Sequence, residues 1–127
     1  MSVAEDFHQW VNSQLWVPGV IHFNVSYPKT ADPWYVMNVI ENERDTLTLC
    51  QVEGGITTIE ITGYGSGRYP VFQELENLRE KIQENFRGMI GSSSIWRTLT
   101  LGTISLGTIE NQINEYSFEM EVSWERS

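Results

Sequence analysis

Few residues in this chain combine the types and spacings that chemistry requires. His8 and His22 are the only histidines, the side chains whose ordinary pKa lies near neutrality. His8 falls beside the apolar stripe of an amphipathic segment, and His22 on the polar side of an alternating one. Neither has Cys, His, Asp or Glu at a metal-ligand spacing, so both read as surface or packing residues. Cys50 sits inside an alternating stretch with no neighbouring base to make a thiolate, and reads as an inert buried thiol. The run Gly63-Tyr64-Gly65-Ser66-Gly67-Arg68 joins a strand-like to a helix-like segment, a place where backbone N–H groups can hold an anion. It lacks the third glycine at dinucleotide-binding spacing and a Walker lysine, and Pro70 removes a donor. A connection or partner-contact loop is the expectation, with Arg68 and Tyr69 its most contact-capable residues. Glu115, Glu119, Glu121 and Glu125 share one face of an alternating segment. Paired carboxylates can hydrolyse glycosides, but a row of exposed glutamates is expected to stay solvated and ionised. No Ser-His-Asp pattern is readable, so neither an enzyme nor a cofactor is expected.

The elements that must carry these residues follow from periodicity. Val3, Phe7, Trp10, Val11 and Leu15 mark a helix over 3–15, with Ser2 and Glu5 as a capping box and Asp6 on its polar side. Alternation predicts strands over 20–27, 34–41 and 46–53, with a loop at 28–33, a polar turn at 42–45 and a Gly54–Gly55 turn before a fourth strand from Ile56. Val71, Leu75, Leu78, Ile82, Phe86 and Met89 form one stripe of a long helix opened by Pro70. A breaker-rich connection (88–94) follows, then one bent strand or two short ones over 95–109, interrupted by Gly102 and Gly107. A last strand over 115–126 buries Tyr116, Phe118, Met120, Val122 and Trp124 and turns its glutamates to water. The fold class is therefore α+β: a mostly antiparallel sheet of five to six strands packed against one long and one short helix, in a single domain spanning 1–127.

Composition bounds the function. A net charge of −9 argues against gripping a nucleic-acid backbone. A single cysteine points to a reducing compartment, and neither a membrane-length apolar run nor a secretion signal is readable. Five Trp, five Tyr and five Phe in 127 residues exceed what a small core needs and leave aromatics for an interface.

Laid out in this order, the chain resembles the tail terminator (tail completion, tail-to-head joining) proteins of long-tailed bacteriophages. The resemblance is carried by the short opening helix and the strand after Asp32-Pro33-Trp34-Tyr35-Val36. The stretch from Ile59 through Gly63 to Arg68 with its following helix continues it, and the alternating Tyr116-Ser117-Phe118-Glu119-Met120-Glu121-Val122 completes it. It implies a structural virion protein, assembled in the host cytoplasm and located in the tail. The protein would form a homo-oligomeric ring, a hexamer, that caps the tail tube, ends its polymerisation and meets the head–tail connector. DNA would pass through the lumen without specific binding. Lys29, Trp34, Arg68, Tyr69 and Arg97 are the candidate subunit or partner contacts. The alternatives are a small-ligand or peptide-binding module with an aromatic pocket, a hydrolase with converging carboxylates, and another neck or tail subunit.

Overall fold

A computed structural model describes residues 3–15, 17, 19–25, 33–47, 52–66, 68–85, 88–91, 93–109 and 113–126, of which 41–47, 52–53, 68–70, 109 and 126 are described by backbone alone. The elements run α1 (Val3–Asn12), β1 (Ile21–Phe23), β2 (Trp34–Leu47), β3 (Val52–Gly65), α2 (Arg68–Asn85), β4 (Gly88–Ile90), β5 (Ser93–Thr100), β6 (Ile104–Ile109) and β7 (Ile113–Arg126). All seven strands belong to one sheet, ordered β1-β2-β3-β7-β5-β4, with β6 also paired to β7. Seven strands exceed the five to six expected, and the sheet is mixed: β1 runs parallel to β2, and every other pair is antiparallel. Alternation reports which residues share a face but carries no strand direction, so the parallel pair left no local mark.

The long strands differ most from expectation. The polar stretch 42–45 is not a turn but part of β2, with Arg44 opposite Gly55 and Asp45 opposite Gly54. Of the predicted third strand, Thr46 and Leu47 belong to β2 and Val52 and Glu53 to β3, while Cys50 and the rest of it lie outside the described residues. Gly54 and Gly55 continue β3 and pair with Glu125 and Trp124 of β7. A Cβ on Gly54 would stand 3.0 Å from the Trp124 carbonyl oxygen, so a close strand crossing, not a reversal, uses this glycine. The expected connection at 88–94 is also a strand pair: β4 folds back on β5 through Gly91, whose φ of 57° suits glycine. Over 95–109 the two-strand alternative is the one observed.

One face of the sheet carries the core. On β7, Tyr116, Phe118, Met120, Val122 and Trp124 are all buried, as their alternation predicts. They share that face with Tyr35 and Met37 of β2 and Ile59 and Ile61 of β3. Val71, Leu75, Leu78 and Ile82 bury the stripe of α2 against them. The stripe ends there, because Met89 belongs to β4 and is exposed, while Phe86 lies outside the described residues. Gly63 lets the helix approach: an added Cβ would lie 2.9 Å from Val71 Cγ1 and 3.2 Å from the Tyr35 ring. The Tyr35 hydroxyl donates to Glu74 of α2, and the Trp124 indole donates to Thr57 Oγ1 at 3.0 Å inside the core.

The shorter helix closes the curl of the sheet. α1 packs against both β1 and β4, the first and last strands in the sheet order. On the β1 side, His8 Nε2 donates to the Ile21 carbonyl at 2.5 Å, and Asn12 brackets Ile21 by accepting from its N–H and donating to its C=O, each at 2.9 Å. On the β4 side, the Asp6 carboxylate sits against Gly91, where any Cβ would lie 2.7 Å from the carboxyl carbon. Asp6 is buried, against its polar-side expectation, because its face of α1 meets the β4–β5 turn. Leu15 lies past the helix end and is fully exposed, so it is not part of the stripe.

Candidate functional site

Neither α1 nor α2 lies on the opposite face of the sheet, and register fixes what it displays. Partner residues in an antiparallel pair share a face, so β3 and β7 present the pairs Thr58–Glu121, Glu60–Glu119, Thr62–Ser117 and Tyr64–Glu115. Asn38 of β2 flanks Glu60. Glu60 and Glu119 are like charges placed directly across from each other, an arrangement that costs stability. Thr62 Oγ1 donates to Glu60 at 3.2 Å. Burial, and then the nearby Glu60 charge, push the Glu115 carboxyl above the ordinary carboxylate range. The carboxylate wall read from the last strand is therefore real and wider than that strand. Not all of this face is wet, since the short side chains of Thr62, Ser117 and Ser123 are buried between longer neighbours.

Next to this wall the sheet is interrupted. β5 pairs with β7 from Ser94–Glu125 to Thr100–Met120, and β6 pairs with it from Ile104–Ser117 to Ile109–Ile113. The two short strands thus lie end to end along one long partner. Between them the Leu101 N–H still donates to the Glu119 carbonyl at 2.9 Å, after which Gly102 and Thr103 leave the ladder. The break opens a groove of about 200 Å³ lined by Leu101, Gly102, Ile104, Ser117, Phe118 and Glu119. A hollow of about 40 Å³ adjoins it, with Thr58, Leu99 and Glu121 in its wall. Leu99, Leu101, Ile104 and Leu106 are 40–57% exposed, an uncommon density of open aliphatic surface for so short a segment.

Side chains of α2 hold this break from behind. Glu76 accepts from the Thr103 N–H at 2.9 Å and pairs with Arg79 at 2.9 Å. The Arg79 guanidinium, assisted by Thr103, holds the Glu76 carboxyl down at about 2. Gln83 donates to the Thr98 carbonyl at 2.9 Å and accepts from the Thr100 N–H at 3.0 Å, occupying the outer edge of β5 as a neighbouring strand would. Such capping removes an edge that would otherwise recruit another strand. Beyond Met37, β2 has no second strand partner among the described residues.

Two of the residues singled out from sequence, Trp34 and Arg97, have described side chains. Trp34 opens β2, half-buried and stacked on His22 with ring centroids 3.6 Å apart. Its indole nitrogen is buried with no hydrogen-bond partner among the described residues. Arg97 is exposed at the Ser123 end of β5, on the same face but some eight β7 residues away, roughly 27 Å. Arg68 and Tyr69 open α2 and are described by backbone alone, and Lys29 lies outside the described residues. Of the five, only Trp34 and Arg97 are described with their side chains, and these two do not meet. The groove was missed because end-to-end strands on one partner are a tertiary arrangement; its sequence signal was Gly102 between two aliphatic runs. Among the described residues no group of three His, Cys, Asp or Glu side chains is placed to hold a metal. Gly63 and Gly65 are buried within β3 and so do not form an anion loop, and Gly67 lies outside the described residues.

Neither a protein-family model nor a curated protein matches the sequence. Among solved structures, the fold is similar to a chain of one described as "Virion of native gene transfer agent (GTA) particle". The TM-score is 0.62 at 8% sequence identity, and the alignment covers 98% of this chain and 95% of that one. Over nearly its whole length, α1 through β7, the chain has the fold of a polypeptide from that particle.

Proposed function

We propose that this protein is a structural virion subunit of a phage-like particle that works by assembly and not by catalysis. The observation that carries the reading is the end-to-end correspondence with a virion polypeptide, with neither chain leaving a further domain unmatched. Within that class the tail terminator is the reading we favour: a hexameric ring that caps the tube, ends its growth and meets the connector. Two features support it. The net charge of −9 suits a ring that lets DNA pass without holding it. One sheet edge is capped by Gln83 while the β2 edge runs on, and unlike edges suit a heterologous contact of the kind that closes rings. The aromatic-pocket alternative loses ground, because Phe7, Tyr35, Tyr116, Phe118 and Trp124 are all buried in the core.

The test is mass in solution by light scattering, followed by negative-stain imaging and by mixing with tail-tube protein. A hexamer-sized ring, or tubes shortened and capped on mixing, is the expected result. A monomer that leaves tube length unchanged would remove the terminator role.

A further inference from the structure

We propose that the groove between β5 and β6 docks a lysine- or arginine-bearing segment of a partner protein. The inference rests on the assembly reading above and names the chemistry of the partner. One wall is aliphatic, from Leu99, Leu101 and Ile104, all well exposed. The other is anionic: Glu119 and Glu121 project from adjacent outer-face positions of β7, and Glu60 stands directly opposite Glu119. The walls are one strand apart, about 5 Å. A Lys or Arg side chain bridges them naturally, its methylene stem lying on the leucines and its charged head reaching the carboxylates. Neither Glu119 nor Glu121 has an ion pair among the described residues, and the exposed Arg97, opposite Ser123 and two pairs along the ladder from Glu121, makes none with them. A cation seated there also relieves the Glu60–Glu119 repulsion, so the face is more stable occupied than empty. A second copy of this chain is the poorer occupant, because each copy carries a net charge of −9 and would bring more like charge than unlike.

The probe is a fluorescein-labelled decapeptide of alternating Lys and Leu, titrated into the full chain and followed by anisotropy. Saturable binding is expected, weakened at least tenfold both by the double change Glu119→Gln, Glu121→Gln and by Leu101→Ser. A Glu–Leu peptide of the same pattern should not bind, and Glu84→Gln, on the exposed side of α2, should leave affinity unchanged. All the groove positions changed are exposed, and unaltered melting curves would verify the fold. Equal affinity for wild type and the double variant, absence of binding, or equal uptake of the Glu–Leu peptide would each overturn the proposal. So would a Leu101→Ser variant that dissociates an oligomer, since the occupant would then be this chain. Light scattering on the same samples separates this outcome from the ring: a monomer that binds the peptide keeps the groove and loses the ring, and a ring that ignores it does the reverse.

Discussion

The two faces of β7 are built from the same fourteen residues and obey opposite rules. Toward the helices it sets five large apolar side chains, 6% exposed or less, against α2. Toward the open side it sets glutamates, one of them facing another glutamate across the ladder. The first face is ordinary core packing, in which each methylene removed from water adds stability. The second accepts like-charge repulsion, beside exposed leucines of β5 and the break that follows it, and folding alone would select neither. A face that costs stability and is kept open is read most simply as a surface for another molecule.

The sharpest way to break this contrast is to truncate one leucine on each side. Leu78→Ala, in the α2 stripe, should lose about 2–5 kcal/mol of unfolding free energy in urea titrations. Leu101→Ala, in the groove, should change it by no more than about 0.5 kcal/mol. Equal losses would mean that the open face is packed in solution. A smaller effect should come from Gly63→Ala, whose new methyl meets the stiff Val71 side chain and the Tyr35 ring; about 1–3 kcal/mol is expected, as a lower denaturation midpoint.

A smaller loss than that of Gly63→Ala concerns the link that holds the groove open from behind. Glu76→Gln should cost about 1 kcal/mol near neutral pH, discounted for partial exposure, and lower the melting temperature by about 3–5 °C. Its acid dependence has a definite sign. The Glu76 carboxyl is depressed to about 2 in the folded chain, so its stabilisation is present above the ordinary carboxylate pKa and lost as pH falls from about 4.5 toward 2. The wild-type and variant melting curves should therefore converge over that interval. Glu74 and Glu115, both raised, act in the opposite sense and favour the folded chain as pH falls.

How much of this was legible depended on whether the signal was local. The alternation of β7 and the stripe of α2 each report a face through a fixed period, 2 or 3.6, and both faces are as read. The residues Asn42 to Asp45 mislead because four consecutive polar residues read locally as a turn, while their place in β2 is set by pairing with Thr57 to Gly54. Asp6 gave no sign of burial, since its neighbour Gly91 lies some 85 residues along the chain. The acidic row was visible strand by strand, but its juxtaposition with Glu60 required the β3–β7 register. The groove required two strands sharing one partner, a relation no window of sequence contains.

The position of β7 in the sheet order has a consequence for the chain as it is made. It is the partner of β3, β5 and β6, yet it follows all of them in sequence. At a synthesis rate of about 5–20 residues per second, the roughly 60 residues between Gly65 and Arg126 take about 3–12 s. Throughout that interval Ile59 and Ile61 have no β7 to pair with, and β3 offers a bare edge to any other nascent copy. Copies made at the same time thus pass through a sticky stage before the last strand seals each of them, and the timing of translation becomes part of how cleanly the chain folds.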